Sequence, residues 1–503
     1  MSDLFEFKGA EGAGYAQPPL MLDEESTRAC IPESMQRRTL PRWPKASEPE
    51  LVRHYTWLST RNFGIDTGFY PLGSCTMKHN PRLNERIVQL PGMNDIHPLA
   101  PESHLQGLMA IYFEMQEMLS HCSGMDQVTL QPVAGAQGEF TAIRCIQQYH
   151  RSRGEYDRTE VIVPDSAHGT NPASATMCGC SVVEIPSGAD GRLDLDALRA
   201  VVGDNTCAMM VTNPSTLGVF EPDIAEASAI VHAAGGQMYY DGANFNAILG
   251  KTDPGRMGFD AVHYNLHKTF SQPHGGGGPG SGPIGVKSHL APFLPSPIAD
   301  RRERLEEDLK GVGDGYWYVW REVGESSIGK VQQWHGNSGA VVRAWAFYRR
   351  YGRELERMSE HAVLNANYLR HRIMNPNPET AKRMHAMPLD GAPAEVVKHE
   401  FTLSMSALKD AVGVTGRDVA KRLLDYGVMA PTLYFPMIVP ECLMIEPTET
   451  ESKEVMDRFA ADLHSIMCED PEIVTTAPHS TDVRRVDEVW AARNLVLRHP
   501  GFD

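Results

Sequence analysis

No stretch of this sequence approaches the roughly 20 consecutive apolar residues that a bilayer crossing needs. Nor is there a long basic run. Acids outnumber bases 64 to 47, and the formal charge is −17. A surface of that sign does not attract phosphate backbones or anionic lipid, so neither nucleic acid nor membrane is expected as a partner. Cysteine is sparse and unpatterned, with nine in 503 residues. Cys178 and Cys180 form a C-x-C, no second pair completes a zinc set, and no metal site is expected. Scattered thiols suit a reducing compartment. The opening Met1-Ser2-Asp3-Leu4-Phe5-Glu6 has no basic segment leading into an apolar one, and no Arg-rich, acid-poor stretch. A cytoplasmic location is therefore expected. Internal repeats are absent too.

What is present is an ordinary globular mix, 42% hydrophobic and 22% charged, long enough for two to four domains. Residues 1–95 read as an N-terminal arm and loop-rich segment, including GFYPLGSCTMKHNP (Gly68–Pro81), whose breakers give it the composition of a functional loop. Residues 96–335 read as a large α/β domain. After helical spacing over Leu105–Leu119, short apolar runs alternate with helical patterns. Strands are predicted at Gln127–Leu130, Glu160–Val163, Ser181–Ile185, Ala208–Thr212, Gln237–Tyr240, Ala261–Asn265 and Pro283–Val286. Helices are predicted over Gly138–His150 and around Ile224, Ala227, Val231 and Ala234. This alternation specifies a mostly parallel central sheet with helices on both faces. Residues 336–480 read as a smaller α+β C-terminal domain. It has a long helical pattern over Gly336–Arg370, a strand at Phe401–Met405, helices at Gly416–Tyr426 and Ser452–Ile466, and short apolar runs at Met437–Val439 and Leu443–Ile445. A tail, 481–503, completes the chain.

Ligands of such sheets sit beyond the carboxyl ends of the strands, and several chemistry-bearing residues fall there. Lys268 follows the strand Ala261–Asn265 and precedes a glycine-rich loop that lets backbone approach a bulky group closely. Read alone, a surface lysine at a strand end is the better reading, since most lysines are exposed. Asp241 closes the strand Gln237–Tyr240. A buried carboxylate there needs a cationic or N–H partner, unless it caps the next helix. Gly135-Ala136-Gln137-Gly138 opens a helix, which is an anion site by geometry, although tight βα turns use glycine anyway. His168 follows the strand Glu160–Val163, as a ring that covers a planar ligand or as a histidine satisfied within a polar loop. Asn213 follows Ala208–Thr212. Together these match what pyridoxal 5′-phosphate (PLP) requires: an amine for the imine, a carboxylate for the pyridine nitrogen, a ring cover and a phosphate cradle. Asn213 is placed to reach the 3′-oxygen.

Two rival motifs are weaker. Gly275–Gly280 fits G-x-G-x-x-G, but a strand-like run follows it where a dinucleotide fingerprint needs a helix. His263, His267 and His274 lack both a cysteine pair and an H-E-x-x-H helix.

The run NLHKTFSQPHGGGGPGSGPIGV (Asn265–Val286) resembles the PLP-lysine segment of glycine dehydrogenase (decarboxylating), the P-protein family of the glycine cleavage system. Further blocks agree: GFYPLGSCTMKHNP, AHGTNPAS (Ala167–Ser174), YDGANFNA (Tyr240–Ala247) and APTLYFPMIVPECLMIEPTETESKE (Ala430–Glu454). The resemblance spans nearly the whole chain and is closest to the separate, lysine-bearing second subunit. It implies PLP-dependent transferase fold type I and decarboxylation of glycine with release of CO2. The aminomethyl group passes to the lipoyl arm of H-protein. A heterotetramer is implied, two of each subunit, with a homologous subunit 1 that lacks the lysine. By position, Lys268 carries PLP covalently, Asp241 meets the pyridine nitrogen and His168 stacks on the ring. Ala243, His267, Asn213, Gly135, Ala136 and Gln137 are expected cofactor contacts.

Two departures are visible. Met429-Ala430-Pro431-Thr432 stands where the family has His-Pro-Pro-Thr, and Trp334-His335-Gly336-Asn337 differs from a Phe-rich version. Both lie outside the lysine segment and bear on substrate or carrier contacts. The competing expectations are another fold type I enzyme, such as a cysteine desulfurase or amino-acid decarboxylase, and a non-catalytic partner that keeps the fold. A desulfurase needs a reactive cysteine on a mobile loop, and Cys75 is read as structural.

Overall fold

The computed structural model describes residues 21, 23–39, 45–273, 275, 280–306, 308, 315–384, 390–391 and 396–497. The N-terminal arm up to residue 20, His274 and residues 276–279 of the glycine-rich loop, and the end of the tail from 498 lie outside the described residues. The chain divides into two units, Met1–Gly64 with Asp482–Asp503, and Ile65–Thr481. In the first, α1 (Glu24–Ala29) starts at Asp23, whose carboxylate accepts the Ser26 amide at 2.7 Å. α2 (Glu48–Ser59) starts at Ser47, whose amide donates to Glu50 at 2.7 Å. A short helix covers Glu488–Arg493.

The second unit is built on seven strands: β1 (Gln127–Thr129), β2 (Glu160–Pro164), β3 (Ser181–Ile185), β4 (Thr206–Thr212), β5 (Gln237–Gly242), β6 (Ala261–Tyr264) and β7 (Ile284–Val286). They lie in the order β1-β7-β6-β5-β4-β2-β3, with β2 to β6 parallel and β7 antiparallel to both β6 and β1. Side chains alternate between the faces of a strand, and that parity sorts the core. Val161, Val163, Tyr239 and Ala261 face one cluster, while Ile162, Met238, Tyr240, Val262 and Tyr264 face another.

The remaining helices are α3 (Arg82–Val88), α4 (Glu102–Ser123), α5 (Gly135–Ser152), α6 (Thr170–Met177), α7 (Leu195–Val201), α8 (Ile224–Ala233), α9 (Ser338–Tyr351) and α10 (Leu355–Met374). α5 packs on the first face through Ala142, Ile143 and Ile146. α4 and α8 pack on the second through Met115, Leu119, Ala227 and Val231. The expected fold type I architecture, a mostly parallel sheet covered on both faces, is therefore what the chain adopts.

An antiparallel hairpin, β8 (Ile298–Glu303) with β9 (Tyr316–Arg321), stands apart from this sheet and has no counterpart in the sequence reading. A second antiparallel sheet has the order β10-β11-β13-β12, made of β10 (Asp390–Gly391), β11 (Phe401–Ser404), β12 (Thr432–Leu433) and β13 (Cys442–Ile445). Leu369, Phe401, Leu403, Leu423, Leu443 and Phe459 form its core with α10 and the helices Gly416–Asp425 and Lys453–Ile466.

Two expected helices change at glycines. α5 begins at Gly135, three residues before the predicted start, because extended Ala134 serves as N-cap and its carbonyl accepts the Gly138 amide at 2.9 Å. The long pattern over Gly336–Arg370 breaks into α9 and α10 at Gly352, whose φ of +49° favours glycine. Met437–Val439 lies in turns and bends, not in a strand.

The Gly68–Pro81 loop is seated on the smaller sheet. Leu72 bridges Ile445, and the Gly73 amide donates to the Met444 carbonyl at 3.2 Å. Lys78 then pins the loop. Its buried Nζ donates to the Thr269 carbonyl at 2.7 Å and pairs with Glu449 at 2.7 Å. Removing one member of a buried pair leaves a charge unmatched. Lys78→Met should therefore lower the free energy of unfolding by about 3 kcal/mol or more, measured by urea denaturation followed by circular dichroism. Lys251→Met, in a solvent-exposed pair with Glu356 and Glu360, should leave the midpoint where it is.

Candidate active site

The carboxyl ends of β2, β5 and β6 bring three of the expected residues together. Beyond β6 the chain turns through Asn265–Lys268, closed by the Lys268 amide on the Asn265 carbonyl at 3.0 Å. Lys268 is half-buried, and among the described residues its Nζ forms no hydrogen bond or ion pair. Asp241 lies inside β5, one register step before its end. It is paired with Thr212 on β4 and His263 on β6, because the ladder runs on to Gly242.

Asp241 has the parity of Tyr239 and therefore faces α5. It is buried, and its Oδ1 accepts the Ala243 amide at 2.9 Å and lies 3.6 Å from His263 Nε2. Burial alone would raise its carboxyl. The His263 ring, the Ala243 amide, the Lys268 ammonium and His168 outweigh burial and hold it below the ordinary carboxylate value. His263 is itself held by Tyr239 at Nδ1 and by the Asn265 amide at Nε2, 3.0 Å away. Ala243 thus meets Asp241 through its amide.

His168 sits in the turn after β2, and burial keeps its ring below the ordinary histidine value. Its Nδ1 lies 2.8 Å from Thr170 Oγ1 and receives the Thr170 amide at 3.2 Å. The Phe435 ring meets it edge-on at 5.4 Å. Thr170 Oγ1 lies 2.7 Å from Glu139 Oε1, and Ser174 Oγ donates to Glu139 Oε2 at 2.8 Å. Glu139 is buried one turn into α5. Burial and the nearby Asp241 push its carboxyl up to about 7 against the hydrogen bonds of Thr170 and Ser174.

The first turn of α5 is Gly135-Ala136-Gln137-Gly138, and no side chain caps it. Its amides point out of the helix start. Glycines let the surrounding backbone close in. A Cβ on Gly282 would lie 2.0 Å from the Ala134 carbonyl oxygen, and one on Gly135 would lie 2.5 Å from Asn265 Oδ1. The Gln137 side chain is occupied, accepting the Val133 amide and donating to the Val331 carbonyl, each at 2.8 Å. His267 Nδ1 receives the Ser281 amide at 3.4 Å, beside the same loop. Asn213 is fully buried, with Oδ1 accepting the Glu221 amide at 3.0 Å and Nδ2 donating to the Glu221 carbonyl at 3.4 Å. Its amide is spent on its own loop.

The sequence reading missed an acidic group on the other side of Lys268. Phe401 pairs with Ile445 in the β11–β13 ladder, and one step further along that register Glu400 faces Glu446. Both are buried. Glu400 Oε2 accepts the Ser74 amide at 2.7 Å and Glu446 Oε2 the Thr76 amide at 3.0 Å, so they grip the Gly68–Pro81 loop on either side of Cys75. With His399 they offer ligand atoms within 4.8 Å of one another, the one such three-residue group among the described residues. Burial pushes the Glu446 carboxyl up to about 7, while Lys268 opposes the rise. Burial also raises the Cys75 thiol. Glu139, by contrast, was readable. It falls on the face of Ala142, Ile143 and Ile146, where a carboxylate has no packing reason to be.

Family models match two parts of the chain: aminotransferase class-V over residues 138–277, and glycine dehydrogenase, C-terminal domain, over residues 358–485. A protein of Halalkalibacterium halodurans named probable glycine dehydrogenase (decarboxylating) subunit 2 is 50% identical over 500 residues, covering 99% of this chain and 97% of its own. A protein of the same name from Nitrosomonas europaea is 49% identical and covers 98% of both chains. Among solved structures, an inhibitor-bound glycine decarboxylase (P-protein) of the glycine cleavage system aligns with a TM-score of 0.71 at 17% identity, over 88% of this chain and 95% of that one. A cysteine desulfurase of Escherichia coli aligns at 0.57 and 17% identity, over 80% and 94%. At such identities the likeness is one of fold.

The closeness of Gly282 to Ala134 makes the helix start sensitive. Gly282→Ala should overpack it and cost about 1–3 kcal/mol of stability, read by thermal denaturation. Gly203→Ala, with nothing within 4 Å of the added Cβ, should not move the transition.

Proposed function

The chain belongs to the glycine dehydrogenase (decarboxylating) subunit 2 family, and from that premise we propose that it decarboxylates glycine with PLP held on Lys268. The aminomethyl group passes to the lipoyl arm of H-protein. A second subunit implies a first. That partner is a homologue without the lysine, assembled as two of each.

The observation that carries the reading is the meeting of Lys268, Asp241 and His168 at the carboxyl ends of β6, β5 and β2, within reach of each other's charge. The residues fit the cofactor. The uncapped amides of Gly135, Ala136 and Gln137 suit its phosphate. Lys268 offers an amine with no competing partner among the described residues. Asp241, kept ionised, holds a proton at the pyridine nitrogen, and His168 covers the ring. When bound, PLP supplies the sink for the electrons of the bond broken as CO2 leaves. This chain's residues orient that bond, exclude water and fix charge. Lys78, Glu400 and Glu446 hold the Gly68–Pro81 loop against the lysine segment and so shape the pocket mouth.

A desulfurase reading finds less support. Cys75 is bracketed by two loop-to-glutamate hydrogen bonds, and its burial disfavours the thiolate that such chemistry needs.

The direct test is glycine-dependent exchange of 14CO2 by the chain with its partner subunit and lipoylated H-protein. Exchange is expected only with all three, and Lys268→Ala should abolish both exchange and the absorbance of bound PLP. Turnover by that variant would sink the assignment. Asp241→Asn keeps shape but loses the charge. It should weaken PLP binding about ten- to a hundredfold, the ~1.5–3 kcal/mol of a hydrogen bond to a charged group, measured by equilibrium dialysis of the cofactor.

A further inference from the structure

His168, Thr170 and Glu139 make three contacts that have to share very few protons. A threonine hydroxyl has one proton to give, and a neutral imidazole carries one N–H. The Thr170 amide donates to His168 Nδ1 at 3.2 Å, so Nδ1 is an acceptor. The Thr170 hydroxyl lies 2.8 Å from the same Nδ1. With Nδ1 bare, that contact is a hydrogen bond only if the hydroxyl proton points at the ring. The hydroxyl is then an acceptor towards Glu139 Oε1, 2.7 Å away. Two bare oxygens at that distance repel, so Oε1 has to bring the proton. Ser174 satisfies the other oxygen at 2.8 Å.

We propose that Glu139 is a protonated positioning residue which, through the Thr170 hydroxyl, holds His168 as the Nε2–H tautomer. All the short contacts are hydrogen bonds in that arrangement. With Glu139 ionised, the hydroxyl turns to the carboxylate and Nδ1 takes the ring proton to donate to Thr170 Oγ1. The Thr170 amide then faces an N–H. Glu139 therefore selects which ring nitrogen carries the proton, and no net charge moves onto His168.

The surroundings favour the protonated acid. Asp241 and Tyr239 face Glu139 from β5, Lys268 from the turn beyond β6, and Thr170 and Ser174 from α6, with His263 beside the neighbouring Gly138 and His168 beyond Thr170. Asp241 is ionised and repels a second anion, Lys268 opposes it, and burial penalises any charge. The balance leaves the Glu139 carboxyl at about 7. His168 is kept neutral by burial, so the ring changes tautomer and not charge as pH passes through that value. The consequence for the cofactor rests on the assignment of His168 to its ring. The tautomer itself does not.

The test is the 15N spectrum of the His168 side chain in the assembled, PLP-loaded protein, with histidine labelled in this chain alone and the signal identified by its loss in His168→Gln. Below about pH 7 the expected pattern is a bare Nδ1 with a protonated Nε2, reversing as pH rises through that value. Thr170→Ser should keep this step. Thr170→Val and Glu139→Gln should each abolish it. A protonated Nδ1 below the step, or an unchanged step in Thr170→Val and Glu139→Gln, would overturn the proposal. PLP absorbance of the same samples separates the two readings. An intact step in a chain that binds no PLP leaves the relay standing and removes the cofactor assignment.

Discussion

A carboxylate that stays ionised out of reach of water has to be matched, and Asp241 is the group around which this matching is built. Its position inside β5 is fixed by the ladder to Thr212 and His263. It cannot swing to solvent as a helix cap would. What surrounds it is therefore chosen by charge: the Ala243 amide, His263 held by Tyr239 and Asn265, and the Lys268 ammonium. Parity along the strand puts Asp241 on the face covered by α5, and this same choice brings Glu139 and the uncapped start of that helix to it. One buried charge thus determines which helix closes the site and which face of the sheet carries it.

The other side of Lys268 is built by a different element. β11 and β13 pair so that Glu400 and Glu446 lie together one step past the end of the ladder, and their carboxylates take the Ser74 and Thr76 amides. Both residues of the loop are held at positive φ, 66° and 46°, where non-glycine residues are strained. Strain of that kind persists only where the surroundings impose it. Here the imposition comes from the smaller sheet, so that sheet acts as a clamp on the loop beside the lysine. Lys78 adds the third tie, from the loop to Thr269, one residue beyond Lys268.

These two sides differ in how far the sequence reveals them. Lys268, Asp241 and His168 could be named because a parallel sheet exports its chemistry to strand ends, and the strands announce themselves by short apolar runs between helical patterns. The seven strands of the large sheet were legible for that reason. The hairpin β8–β9 was not. Its Arg-, Tyr- and Trp-rich strands lack a clean alternation, being half exposed. Glu400 and Glu446 were hidden for a topological reason: they meet only through an antiparallel register that composition does not disclose. Asn213 follows β4 and Gln137 opens α5, but neighbouring backbone takes up their side-chain amides. Position after a strand predicts nearness to a site. It does not predict which polar atoms remain available.

Charge bookkeeping explains why so many acids can coexist there. Asp241, Glu139, Glu400 and Glu446 are buried, and Lys268 is the cation that all four feel. Four ionised carboxylates around one ammonium would repel the phosphate of PLP and the carboxylate of glycine. The structure avoids this by treating the acids unequally. Asp241 has the contacts that favour its anion. Burial raises the other three, and Glu446 adds to the rise at Glu400 across the register. Protonated, these glutamates still accept amides and hydroxyls, so they keep their positioning work without adding charge. The net negative charge around Lys268 is therefore smaller than a count of its acids suggests.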